Sequence, residues 1–387
     1  MGLLCFLVGF AQPSDSTKKA STVDGTAKTL PIPIDSTVNP PAPIAISGSV
    51  DVYHRHNPGG SKYPNNYTSF TNSANSFELG MASLRGNHSF GTVSATVDLG
   101  FGRRPEEFSY NDGSNPTLFA VKQLFLSWQA SSKIKFTMGK WDTHIGYESV
   151  DAFANRNYSM DYMFSCGPFF HTGLRADVTL SATTAFMVGV ANPTDFFTTN
   201  SPVKVGIAQF STATKNGKWK FFLNYQGYYG NSADTLLNSA YTLFKSLTQF
   251  DLVINGSLSS KWGIGYNGTV RSVSSTFLNK AASWWGSALY LNFDPTAKLG
   301  FTLRGEYFSD PDGVKINPID LYKSYTQTPG MNVFDLTLSA NCRVRNLTII
   351  PEIRVDNASK NFFFNLMVIL LKAHSAYCWQ PYINFNF

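Results

Sequence analysis

Phe334-Asp-Leu-Thr-Leu-Ser-Ala-Asn-Cys-Arg-Val344 alternates without a break. Phe334, Leu336, Leu338, Ala340, Cys342 and Val344 fall on one face; Asp335, Thr337, Ser339, Asn341 and Arg343 fall on the other. Successive side chains of a strand point to opposite sides, so this stretch is a strand with one greasy and one wet face. The next run repeats the pattern, with Leu347, Ile349, Pro351, Ile353 and Val355 set against Thr348, Glu352, Arg354 and Asp356. Wet residues of both signs recur on one face along the chain: Asp51, Arg55, Asp98, Arg175, Asp177, Lys220, Asp251, Arg271, Arg304, Glu306, Asp335, Arg343, Arg345, Glu352 and Arg354.

The same alternation places strands near 46–56, 76–89, 92–103, 117–129, 133–143, 172–182, 183–192, 203–214, 218–229, 247–259, 261–274, 282–294, 297–308, 331–345, 346–356 and 364–387. Most are long enough to cross a bilayer at a tilt, which takes about 9–11 residues. Their connections alternate between short and long. Short turns fall at Gly91-Thr92, Ser131-Ser132, Ala182-Thr183, Asn216-Gly217, Ser259-Ser260, Pro295-Thr296 and Arg345-Asn346. Long loops fall at 57–75, 104–116, 144–171, 193–202, 230–246, 275–281, 309–330 and 357–363. Short turns at one end and long loops at the other make an up-and-down membrane barrel. A soluble sandwich has no reason to sort its connections this way. The expected fold is all-β: a transmembrane antiparallel barrel of about 16 strands over residues 44–387.

Composition agrees. Charged residues are 14% of the 387 and aromatics 15%, against roughly 25% charged in an average soluble domain. No apolar run reaches the ~18 residues of a spanning helix. The net charge of +6 is spread singly along strands, so no nucleic-acid partner is expected. Cys5, Cys166, Cys342 and Cys378 show no paired spacing, and neither metal nor cofactor is expected. His54 and His56 lie two apart on a strand and read as solvated side chains. Trp128, Trp219 and Trp262 sit beside short turns, while Trp141, Trp284 and Trp285 sit at the other strand ends. Two interfacial aromatic belts would place them so.

Residues 1–11 read as the remnant of a signal peptide, with the apolar core Leu3-Leu-Cys-Phe-Leu-Val-Gly-Phe10. Residues 12–43, rich in Ser, Thr and Pro, are expected to be a disordered periplasmic lead-in.

One connection differs from the rest. Gly139-Lys-Trp-Asp-Thr-His-Ile-Gly-Tyr-Glu148 runs on through Asp151-Ala152 and Asn155-Arg-Asn-Tyr-Ser159 to Gly167-Pro168 and His171-Thr-Gly-Leu-Arg175. Structureless loops of this length are uncommon unless functional. These motifs, which cover about 40 residues, resemble the OmpL-like β-barrel porins of Gram-negative outer membranes. The resemblance implies a cell outer-membrane barrel with periplasmic termini, and a terminal Phe387 that serves as an assembly signal. The chain departs from the family in its tail. Leu366-Met-Val-Ile-Leu-Leu371 is continuously apolar and Pro381 interrupts the closing strand, where a proline is costly. For one permissible choice of codons, another frame of Met367–Phe387 encodes a regular last strand. Strand 364–387 is therefore expected to be a frame-shifted translation.

Sixteen strands leave an aqueous channel, so the insert 144–171 is expected to fold inward and narrow it. His144, Glu148, Asp151, Asn155, Asn157 and Tyr158 are the expected rim of that constriction. Arg175 is expected to face them, giving a transverse field with Glu148 or Asp151; the same residues would equally serve as tethers to the wall. Lys220, Arg271, Arg304, Glu306, Arg343, Glu352 and Arg354 are expected to line the lumen, where their charge meets water rather than lipid.

The function expected is a porin that passes small hydrophilic solutes and ions passively, with mild anion preference from its inward arginines. Outer-membrane lipid surrounds it, and whether three barrels associate is left open. The alternative is a surface adhesin or structural barrel with a plugged lumen, suited by the outer loops 230–246 and 309–330. No enzyme is expected. A barrel hydrolase would need a Ser/His pair at the lipid rim, and none stands out near His54.

Overall fold

A computed structural model describes residues 44–56, 67–73, 75–111, 116–229, 244–275, 281–315, 330–359, 373–379 and 381–386. The chain before residue 44, most of loops 57–75, 230–246 and 309–330, residues 360–372 and Phe387 lie outside these. The readings made for them above therefore rest on sequence.

The strands are β1 (Ala45–His56), β2 (Ser76–Phe90), β3 (Val93–Phe101), β4 (Val121–Gln129), β5 (Ile134–Asp142), β6 (Phe170–Thr179), β7 (Thr184–Ala191), β8 (Val205–Ala213) and β9 (Trp219–Tyr229). They continue as β10 (Phe244–Ser257), β11 (Trp262–Ser275), β12 (Ala282–Thr296), β13 (Leu299–Asp310), β14 (Met331–Val344), β15 (Leu347–Ile349), β16 (Glu352–Ala358), β17 (Ala373–Trp379) and β18 (Pro381–Asn386). From β1 to β14 each pairs antiparallel with its neighbour in sequence, in one sheet with the rest. β15 and β16 together run beside β14, and β17 and β18 are likewise two halves of one crossing, so the described residues make sixteen crossings. The last crossing pairs with β1 as well, in registers such as His54 with Trp379 and Val50 with Ile383.

Two expectations shift. The crossing expected at 346–356 is broken at Ile350-Pro351, where proline supplies no N–H to the ladder. The strand expected from residue 117 begins at Val121, because α2 (Pro116–Ala120) occupies its start. A further helix, α1 (Arg103–Phe108), sits in the preceding loop.

Burial follows the period of two. On β14, Leu336 and Leu338 are 43% and 47% exposed, whereas Asp335, Thr337 and Ser339 are 0% exposed. Leu303, Ile353 and Val355 face out, and Arg304, Glu352 and Arg354 are buried on the inner side. Placing a basic group on the outer face would cost roughly 2–4 kcal/mol at the bilayer midplane, so the register is strongly determined. Of the expected belt, Trp128, Trp262 and Trp285 are exposed on the outer face. Trp141 and Trp284 are not. They occupy inward register positions and are fully buried, Trp284 against Phe308 and Trp141 beneath the Arg175 guanidinium.

Candidate pore constriction

The insert between β5 and β6 leaves the wall after Asp142 and rejoins it at Phe170, three residue pairs beyond the facing glycines Gly139 and Gly173. Gly139 has φ +135°, and a Cβ there would collide with the Leu124 carbonyl. Glycine alone adopts that backbone without strain. Immediately beyond Asp142, the Thr143 N–H donates to the Phe169 carbonyl at 3.0 Å and closes the neck of the insert. Inside lie a 3-10 turn at Ala152–Ala154 and the short helix α3 (Tyr162–Cys166), whose N-cap Asp161 accepts the Phe164 N–H at 2.6 Å.

The insert's backbone donors end on wall carboxylates. Glu306 of β13 accepts the N–H groups of Tyr162 and Met163 at 2.8 and 2.9 Å. Glu352 of β16 accepts those of Tyr158 and Ser159 at 2.7 and 3.1 Å. Asp251 of β10 takes Gly146 at 2.9 Å, and the Asn267 amide oxygen of β11 takes Tyr147 at 3.1 Å. A segment without regular structure must satisfy its peptide groups somewhere, and here the wet face of the barrel supplies the acceptors.

Ion pairs complete the attachment. The Arg304 guanidinium donates to Glu148 at 2.6 Å, to the Ser159 carbonyl at 2.7 Å and to Asp335 at 2.7 Å. Arg354 donates to the Met160 carbonyl at 2.6 Å and pairs with Asp356 at 2.8 Å. Lys122 of β4 donates to both oxygens of Asp151, at 2.7 and 2.9 Å. Arg156 forks onto Asp294 of β12, with both bonds at 2.9 Å. The Tyr158 hydroxyl donates to Asp51 of β1, and Arg104 of α1 stacks over its ring at 4.6 Å. Burial, and after it the neighbouring Asp161 carboxylate, raise the pKa of Glu148; Arg304 pulls the other way. Asp195, in the loop after β7, accepts the N–H groups of Phe169 and Phe170 where the insert returns. Its burial pushes it up to about 6.

The expected rim residues are therefore all in the lumen, but they do not border an open water column. His144, Glu148, Asp151, Asn155, Asn157 and Tyr158 are 0–6% exposed. His144 donates to the Tyr225 carbonyl, Asn157 to Ser339, and Asn155 braces Ser149 within the insert. Arg175 is a correction. It does not face Glu148 or Asp151, whose cations are Arg304 and Lys122. It stands 3.5 Å from Asp177, two residues along its own strand. A long insert contacts the wall far from its own neck, so strand adjacency misjudged the partner. Of the expected lumen residues, Arg271, Arg304, Glu306, Glu352 and Arg354 are inward and covered, with Arg271 donating to the Cys166 carbonyl at 3.4 Å. Lys220 and Arg343 are inward and part-exposed near the short turns.

Lys122, Arg104, Arg156 and Asp161 escaped the sequence reading. Arg156 lies inside the Asn155–Ser159 motif, and Lys122 holds an inward register position, so both carried a signal. Arg104 lies in a loop with no periodicity and carried none.

The sequence profile of the family described as "Putative beta-barrel porin-2, OmpL-like" matches residues 43–367. The chain belongs to this family. It is an outer-membrane porin by family and by fold. Among solved structures, the porin resembles the in-vitro folded trimer form of OmpT from Vibrio cholerae, with a TM-score of 0.58 and 9% identity over 90% of this chain and 100% of that one. The outer membrane channel DcaP of Acinetobacter baumannii aligns with a TM-score of 0.55 and 12% identity, over 88% of this chain and 96% of that one. The anion-selective porin from Comamonas acidovorans gives 0.55 and 9%, over 89% of this chain and 100% of that one. At these identities the likeness concerns the fold. No curated protein matches the sequence.

Proposed function

We propose that this porin passes small hydrophilic solutes and ions by passive diffusion, and that the insert is both its narrowest level and its gate. One observation carries the reading: the insert bonds to wall residues of β1, β4, β9 to β14 and β16, so whatever crosses the barrel must pass or move it. A polar cavity of about 10 Å³ remains between it and the wall at Arg55, Ser159, Glu352 and Arg354, room for about one water molecule. Porin family and fold favour a channel over a catalyst. The test is single-channel conductance in planar bilayers, for the wild type and for a variant with residues 147–165 replaced by a short Gly/Ser linker. Conductance that rises on deletion supports the gate; equal conductance removes it.

The burial of the six rim residues also favours a second reading, a surface or structural barrel whose lumen is plugged. Liposome swelling with sugars separates the two, since a permanently plugged barrel gives none. The trimeric form in which OmpT is found supports association of three barrels here. The start of β1 lies level with the short-turn end of β2, which supports a periplasmic side for the termini. Residues 1–11 remain proposed as a signal-peptide remnant and 12–43 as a lead-in. The family match ends at residue 367, where the apolar tail begins, which supports reading that tail as frame-shifted.

A further inference from the structure

One group of inward charges, most of them part-exposed, lies at the mouth bounded by the short turns. There Arg85, Lys135, Arg156, Arg175, Lys220 and Arg343 stand against Asp98, Asp177 and Asp294. Their arrangement is not random. On β5 and β6, Lys135 Nζ and Arg175 Nε both lie 3.5 Å from one oxygen of Asp177. On β12 and β14, Asp294 Oδ1 takes the Arg156 guanidinium at 2.9 Å and the Arg343 guanidinium at 3.3 Å. Each cluster is two cations around one carboxylate and, among the described residues, carries one uncompensated positive charge. The remaining pairs differ. Arg85 and Lys122 share Asp98, but Lys122 also holds Asp151 and Asp142 lies beside them, so that group has no excess positive charge. Lys220 of β9 lies between the two clusters along the sheet and has no acidic partner among the described residues.

The placement of the two clusters matters. β5–β6 and β12–β14 are seven to eight crossings apart in a sixteen-crossing circuit, so they stand on opposing sides of the lumen. The charged side chains remain 17–36% exposed; the clusters are wet and reachable, unlike the buried Arg304, Arg354 and Lys122 groups that also fasten the insert. A small residue keeps the second cluster open. At Gly300, facing Asn341 across β13 and β14, any Cβ would collide with Asp294 and crowd both guanidiniums.

We propose that these opposed clusters form a recognition site for small oxyanions, bearing carboxylate or phosphate groups, at the short-turn mouth of the porin. Guanidinium forks match two oxygens of such a group at once, so oxyanions are held in preference to chloride. An anion entering the site meets the part-exposed guanidiniums of Arg175 and Arg343 on the two walls and excess positive charge around them. The carboxylates Asp177 and Asp294 keep the cations extended and prevent them from collapsing onto the wall. The inference rests on the porin reading, but its test does not.

The experiment compares wild type with the double variant R175Q/R343Q, which leaves the insert-holding Arg156–Asp294 pair in place, and with K204Q on the opposite loop end as control. Binding of inorganic phosphate to the folded barrel in detergent is measured by calorimetry, and reversal potential in a KCl gradient by bilayer recording. Wild type and K204Q should bind phosphate and show an anion-selective reversal potential. In R175Q/R343Q the phosphate affinity should fall by about tenfold or more, the scale of one lost charge-assisted contact, and anion selectivity should decline. Phosphate binding that is absent in wild type, or equal in the double variant, overturns the site. Channels that conduct with cation preference overturn it as well. If folded protein gives no channels, the porin reading fails while the calorimetry still decides the site. Should the double variant not fold, R343Q and K135Q singly take its place with the same expected direction.

Discussion

Arg304→Gln tests the gate most directly. Arg304 is fully buried and holds Glu148 and the Ser159 carbonyl of the insert on one side, and Asp335 and Thr337 of the wall on the other. Removing its charge leaves Glu148 with only the Tyr290 hydroxyl and the Asp161 N–H as donors. Asp335 keeps Arg354 at 3.3 Å, so the deficit falls mainly on the insert. Breaking one partner out of a buried pair costs about 3–5 kcal/mol. Lifting the insert lets water reach Glu148 and removes that penalty. The docked state is therefore disfavoured relative to the lifted one by up to that amount, roughly a hundredfold or more in population at about 1.4 kcal/mol per tenfold. Open probability in bilayer recordings should rise accordingly. The double variant E148Q/R304Q should recover part of the closure, because the carboxylate that Arg304 paired with in the insert is removed together with it. If R304Q lowers the melting temperature of the barrel yet leaves open probability within about twofold of wild type, Arg304 is only a brace in the wall. The insert is then not held shut by it.

Three further outcomes follow from the same geometry. Asp195 has a native pKa of about 6, above its unfolded value. The stability it contributes is thus present at acid pH and declines as pH rises through about 4 to 6, by roughly 2–3 kcal/mol. D195N should flatten that part of the melting-temperature profile in detergent, since Asn also suits its φ of 60°; an unchanged slope assigns the dependence to another group. G139A should cost at least 1 kcal/mol through the forbidden backbone and the clash with Leu124, seen as loss of the heat-modifiable folded band, whereas G86A, with open space at its Cβ, should fold normally. A nitroxide on L338C should report lipid, whereas one on N341C should report the aqueous lumen. The reverse pattern would mean the wall is inside out.

Much of this was written in one dimension. Alternation such as Phe334–Val344 decides which side chains meet lipid and which meet the lumen, because a strand's period is two and a wrong register exposes every charge at once. The order of short and long connections decides the up-and-down topology for the same local reason: a turn of two residues can only join antiparallel neighbours. The insert was visible as a break in alternation, and the facing glycines before its neck carried their own signature. What tertiary structure alone decided is where the insert's groups end. Glu148 meets Arg304, 156 residues on, and Tyr158 meets Asp51 and Glu352 at opposite ends of the chain. These partners are set by the curvature of the wall and the path of an irregular segment across it, for which no periodicity exists. Trp141 and Trp284 were misread for a related reason, since the end of a strand is read from spacing but the side it presents depends on register. The opposed cation clusters likewise needed the sixteen-strand circuit, which brings β5–β6 and β12–β14 across from one another though more than a hundred residues separate them.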